Sequence, residues 1–247
     1  RRYVPRRMAL LQNAERQRQV KAGIRKFREF IKTHPEAWFA LYWPFHLAFY
    51  EFWNKHTMTL NYHIIYSPLD DKIPFVEYFV LPYVTWFFYI AAVLIYFLAH
   101  NKRDYLRATF MVDTAMIVST LICVVYPSVH ELRPAVFENS NLCTRLVQLL
   151  YSTDNPAVIM PSMHTSVSVL LAVAIWTSES LRHCTWAKIG SAVLSTLIVL
   201  STVLIKQHSV LDLFAGLGMA AVICSVTYLW LFRSSKKSER TKERSAV

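Results

Sequence analysis

Glycine is almost missing from this chain, 4 residues in 247, which rules out a collagen-like repeat. Charge is also scarce. Only 17% of the residues are charged against 54% hydrophobic, too apolar for an ordinary soluble domain and without the signature of a disordered chain. Acidic residues number 16 against 27 Lys and Arg, a net charge of +11. A basic chain invites a nucleic-acid reading, but here the cations sit at the two ends and in short loops between apolar runs, so no nucleic-acid partner is expected. Cysteine is limited to Cys123, Cys143, Cys184 and Cys224, with no CxxC spacing and no accompanying His pair. Three of them fall in or beside apolar segments and read as buried free thiols rather than disulfides or metal ligands. Internal repeats are absent. Residues 1–35 carry no apolar core with a small-residue cleavage site, so they read as a basic amphipathic segment, not a signal peptide.

What the chain does have is long apolar runs. About 20 mostly apolar residues cross a bilayer, and six stretches qualify: 36–54, 75–99, 108–127, 161–178, 189–205 and 209–232. The first is rich in Trp, Phe and Tyr but contains Pro44, His46 and Glu51, and it either spans or lies partly in the interface. Pro161 suits the first turn of the fourth. The loop 128–160 reads as polar and irregular, whereas only Lys206, Gln207 and His208 separate the last two runs, which requires a tight helical hairpin. The expected fold is therefore an all-α integral membrane bundle of about six transmembrane helices over 36–232. A basic N-terminal segment, 1–35, and a basic disordered tail, 233–247, flank it. Residues 8–32 read as an amphipathic helix, either on an anionic membrane surface or solvated.

Lys and Arg favour the cytoplasmic side. Of the 27, residues 1–35 hold 11, 101–107 hold 3, 179–188 hold 2 and 233–247 hold 6, so 22 lie on one side of a six-span arrangement. Both termini are then cytoplasmic, and the 128–160 loop faces outward with the Lys206–His208 turn.

Three short elements gather at those outward ends: Arg133-Pro134, then Pro161-Ser162-Met163-His164, then Ser201 through His208 to Asp212. His208 and Asp212 are four apart and share a helix face. Ionisable residues at the edge of spans are expensive and mark functional sites. Asp212 suits the role of holding the His208 imidazole in one tautomer, which leaves the other nitrogen as a nucleophile. His164 suits acid and base duty, Arg133 offers a bidentate cation, and the helix start at 161–164 offers free amides to a phosphate. His46, His63 and His100 read as packing or hydrogen-bonding residues. Asp113 reads as paired within the bundle, and the aromatic wealth of the first two runs as an interface belt. The outer elements contain no clustered carboxylate or His set of the kind a metal needs, so neither metal nor cofactor is expected.

Arg-Pro, then Pro161-Ser162-Met163-His164-Thr165-Ser166, then Ser201-x6-His208-x3-Asp212 resembles the type 2 phosphatidic acid phosphatase superfamily over about residues 75–232. That superfamily includes lipid phosphate phosphatases, undecaprenyl diphosphate phosphatases and lipid phosphotransferases such as inositol phosphorylceramide and sphingomyelin synthases. The resemblance implies a membrane enzyme acting on a phospholipid or an isoprenoid or sphingolipid phosphate. It implies His208 as the nucleophile that becomes a phosphohistidine, Asp212 as its partner, and His164 as acid and base. Arg133 and the Ser162 region would bind phosphate. The chain departs from the family at two positions: Tyr126 stands where a Lys is usual, seven residues before Arg133, and Thr202 stands where an Arg usually follows the Ser. Lys206 offers one replacement cation by position, against an interfacial role. The synthase branches relax these phosphate-binding residues, which tilts the expectation toward phosphotransfer. The alternative is a non-catalytic lipid-binding or transport-type protein on the same scaffold.

Overall fold

The computed structural model describes residues 6–231, and the basic tail expected over 233–247 lies outside them. The chain divides into two compact units, Arg1–Leu41 and Tyr42–Val247. In the first, helix α1 (Arg6–Thr33) is followed by a 3-10 turn, Pro35–Leu41. Its described side chains from Glu15 to Arg25 are exposed, Ile24 among them. The side chains of Leu10, Leu11, Phe27, Phe30 and Ile31, which make up the rest of the expected apolar face, lie outside the described part.

The second unit is an all-α membrane bundle. Its helices are α2 (Tyr42–Thr57), α3 (Val80–His100), α4 (Lys102–Val125), α5 (Leu142–Thr153), α6 (Met163–Thr177), α7 (Thr185–Leu204) and α8 (Val210–Val226), the last running into a π-turn, Thr227–Leu231. Two short strands, β1 (His63–Ile64) and β2 (Ser128–Val129), pair in parallel. Among the described residues four helical stretches are long and apolar enough to cross a membrane: Glu77–His100, Lys102–Val125, Thr185–Leu204 and Val210–Leu229. Their outward faces carry side chains that water would not stabilise, such as Phe88 and Trp186 at 74% and 84% exposure, and hydrocarbon is the medium that suits them.

Two of the six expected runs therefore differ. The first is broken into the 3-10 turn and the 16-residue α2, about 24 Å long against a hydrocarbon core of about 30 Å. Glu51, Asn54, Lys55 and His56 make its second half polar. Pro44 survives in its first turn because no intrahelical N–H bond is lost there. The fourth run, α6, has only 15 residues and sits in the centre, packed by α4, α7 and α8. Its Thr165, Ser166 and Ser168 are fully buried, and small residues of this kind let helices approach closely. Gly216 of α8 meets it at the tightest point: a Cβ there would lie 2.7 Å from the Ser162 carbonyl oxygen.

The capping chemistry sets most boundaries. Asn101 alone links α3 to α4, its side chain accepting from the Arg103 and Asp104 amides at 2.9 and 3.1 Å. Ser162 rather than Pro161 opens α6, accepting from the Thr165 amide at 3.3 Å, so Pro161 lies just before the helix instead of in its first turn. The 128–160 loop is also more regular than expected, because it contains β2 and the amphipathic α5, capped by Asn141.

Candidate active site

His208 sits on the turn between α7 and α8. The Gln207 and His208 amides both donate to the Thr202 carbonyl, at 2.9 and 3.0 Å, which folds the turn back on α7. Lys206 takes φ 52°, a left-handed conformation that costs a non-glycine residue about 1–2 kcal/mol. Its ammonium donates to the Asp70 and Ile73 carbonyls, both at 2.6 Å, and holds the turn against that loop. The α8 start is bound with equal care. Ser209 and Asp212 form a capping box, while Asp70 accepts from Ser209 Oγ at 2.7 Å and from the Val210 amide at 2.8 Å.

The same carboxylate of Asp212 faces the imidazole. Asp212 Oδ2 accepts from the Ser209 amide at 2.9 Å and lies 3.5 Å from His208 Nδ1, an approach longer than a formed hydrogen bond. Asp212 is fully buried and its Oδ1 has no protein partner. His164, in the first turn of α6, is stacked on Tyr83 at 4.3 Å and packs tilted against Trp86 at 4.1 Å. Its ring centroid is 6.0 Å from that of His208. Both imidazoles border one cavity of about 480 Å³, together with Gln207, Asp154, Tyr50 and a largely apolar wall from α2 and α3.

The expected phosphate-binding residues do not join them directly. Arg133 is not among the side chains bordering the cavity. Its guanidinium lies over the Tyr151 ring at 4.4 Å, donates to the Tyr151 carbonyl at 3.2 Å and to Gln207 Oε1 at 2.6 Å. Ser162 is buried as the α6 cap, its amide donating to the Asp212 carbonyl at 3.2 Å. Lys206 points to the 70–73 loop. Its expected contact with a phosphate is replaced by the two carbonyl bonds because the left-handed turn carries its side chain away from His208.

Several residues at the site carried no sequence signal of their own. Asp154 binds Asn54 Nδ2 at 3.1 Å and Tyr50 Oη at 3.4 Å, tying α2 to the loop. Burial raises its carboxyl above the ordinary range, with Arg133 and His208 opposing. His130 is buried beside this group, where burial first and then the His208 and Arg133 charges push it down to about 3. Its Nδ1 accepts from the Leu132 amide at 3.2 Å, as a neutral ring can. The Trp43, Tyr50, Tyr83, Trp86 and Phe87 side chains expected in an interface belt border the cavity instead. Among the described residues no three His, Cys, Asp or Glu side chains are gathered so as to hold a metal ion.

A family model described as the PAP2 superfamily matches residues 108–236, just over half of the chain. The chain belongs to the PAP2 superfamily. No curated protein and no solved structure matches it. The matched stretch runs from α4 through α8 and contains Arg133, His164, His208 and Asp212, whereas α2 and α3, which supply the aromatic wall, precede it. This PAP2 member thus builds its cavity from two parts, with His164 and His208 from the matched half and the aromatic side chains of the wall from the other. PAP2 membership and the four apolar helices together identify a membrane protein of a phosphatase-type lipid enzyme family.

Proposed function

We propose that this protein hydrolyses or transfers a phosphate-containing group on a lipid, without a metal, through a phosphohistidine on His208. The reading is carried by the 6.0 Å between the two imidazoles across one cavity, with Asp212 behind His208. Asp212 keeps the proton on Nδ1, so the lone pair of Nε2 attacks phosphorus while the bond to the leaving oxygen breaks. His164 gives that oxygen its proton. It then takes the proton of an incoming hydroxyl, which attacks phosphorus and breaks the P–N bond. Water as acceptor makes the enzyme a phosphatase, and a lipid hydroxyl makes it a phosphotransferase. The aromatic wall suits a lipid body, a phospholipid or an isoprenoid or sphingolipid phosphate.

The site faces the extracytoplasmic side in this reading, with both termini cytoplasmic, as 22 of 27 cations argue. In a variant without native cysteines, one introduced at position 139 should react with an impermeant reagent in intact cells and one at 240 should not. The deciding experiment incubates the purified full chain with a panel of phosphate-bearing lipids and reads products by mass spectrometry. Product from the wild type and none from His208→Ala supports the enzyme. Lipid binding with no head-group or phosphate release in either makes the protein a non-catalytic binder.

A further inference from the structure

The cavity beside His208 contains no lysine or arginine among its bordering side chains. At the two positions where the chain departs from the family's cations, Tyr126 is stacked on His63 at 4.0 Å and Thr202 donates to the Val199 carbonyl at 2.7 Å. Arg133 is held by Tyr151 on one side and Gln207 on the other, and Tyr151 is itself tied to the hairpin, its hydroxyl donating to the Ile205 carbonyl at 2.6 Å. A phosphoryl group beside His208 would therefore meet no lysine or arginine side chain directly.

Gln207 is different. It borders the cavity, is 3% exposed, and its Nε2 has no protein partner. The amide orientation follows from chemistry, because a guanidinium can only donate. Gln207 must turn its oxygen to Arg133, at 2.6 Å, and its NH₂ away from it. A buried amide donor left unpaired costs about 1–3 kcal/mol, and an NH₂ polarised by a cation on its carbonyl is a stronger donor than a free one.

We infer that the Gln207 amide is the direct phosphate-binding donor of the site and that Arg133 is a positioning residue acting through it. This rests on the phosphoryl-transfer reading above. Arg133 passes its charge to the cavity through one amide, which keeps a full cation out of the apolar wall while giving the phosphoryl oxygens two N–H donors next to the attacking nitrogen. Gln207 is also the chain neighbour of His208, so the same folded turn positions nucleophile and donor together.

The test uses the full chain in detergent and orthovanadate, a phosphoryl mimic, with binding read from the fluorescence of tryptophans bordering the cavity and stability from thermal melting. Wild type should bind vanadate and His208→Ala should bind it far more weakly. Gln207→Glu preserves an acceptor for Arg133 but removes both donors, and Gln207→Met removes donor and acceptor. Each should keep a near-native melt and lose about tenfold to a hundredfold in vanadate affinity, the size of a hydrogen bond to a charged group. Arg133→Lys should weaken binding severalfold alone yet cost nothing further in the Gln207→Met background, since the two act as one unit. His208-dependent binding that both Gln207 variants retain overturns the inference and leaves the phosphoryl-transfer reading standing. So does loss of the folded state in both, which makes the amide a packing element, and so do additive effects of the pair, which make Arg133 a direct ligand. No vanadate binding, or binding indifferent to His208→Ala, removes the phosphoryl-transfer reading and this inference with it.

Discussion

Two buried aspartates of the membrane unit, Asp104 and Asp212, stand at similar helix starts and do opposite things. Asp104, in the first turn of α4, accepts from Ser178 Oγ at 2.7 Å, Ser180 Oγ at 3.0 Å, the Ser180 amide at 3.1 Å and the Glu179 amide at 3.3 Å. Both of its oxygens are engaged, and it does not border the cavity beside His208. Asp212, in the first turn of α8, has one oxygen bonded by the Ser209 amide and 3.5 Å from His208 Nδ1, while the other is buried without a partner. Around it His208 Nδ1, His164 Nε2, Gln207 Nε2 and Arg133 Nε are likewise unpartnered. Buried polar groups normally pair. The saturated cluster fastens the 178–180 loop to α4, whereas His164, Gln207 and His208 of the unsaturated one border a cavity.

That contrast breaks most sharply in turnover. His164→Ala and His208→Ala should each lower it by on the order of 10³-fold or more, and the double variant should be little worse, because the two act as one unit. Turnover of the product identified by mass spectrometry checks this, and independent, multiplying losses would separate the two rings. Asp104→Ala is the converse: it should cost about 3 kcal/mol of stability by thermal or denaturant unfolding, with normal turnover per folded molecule. A comparable loss of turnover there would make both clusters functional.

Smaller effects sharpen the geometry. Gly216→Ala puts a methyl 2.7 Å from the Ser162 carbonyl oxygen, so α6 and α8 must shift apart, at about 1–3 kcal/mol. Because this contact lies two residues from His164 and one turn from Asp212, turnover should fall as well, and a variant with native kinetics would show that the site tolerates the displacement. Lys206→Met should lose about 1–2 kcal/mol through its two carbonyl bonds, with substrate KM unchanged. A raised KM with an unchanged melt would return Lys206 to phosphate binding. The smallest effect concerns Asp154. Burial raises its carboxyl, so between the ordinary carboxylate value near 4 and the raised one the folded state binds more protons than the unfolded. Stability there falls as pH rises and levels off above the raised value. Asp154→Asn should flatten that slope, measured by melting across pH, and an unaltered slope would assign the dependence to another group.

The membrane class, the four long helices and the His-x3-Asp face were legible because each depends on local pattern: length of an apolar run, charge at its ends, four-residue helical spacing. The aromatic residues of α2 and α3 looked like an interface belt, since periodicity cannot tell a lipid-facing ring from one that stacks on His164. Lys206 looked like a phosphate cation by position alone. Its side-chain direction depended on a single left-handed residue, which no spacing rule reveals. Arg133 was singled out, but its link to Gln207 spans 74 positions of sequence, and Asp154 and His130 gained meaning only when the 128–160 loop folded over the hairpin.

By itself the sequence determined a helical membrane protein with two histidines and an aspartate at the ends of its helices, because hydrophobic length and helical period are properties of neighbouring residues. Only the tertiary structure decided which polar groups meet: that His164 packs on Tyr83 and Trp86 beside His208, that Lys206 bonds the carbonyls of the 70–73 loop, and that Arg133 bonds Gln207 at the cavity edge. Those outcomes depend on long-range packing, in which a side chain's partner is set by where distant helices bring it and not by its place in the chain.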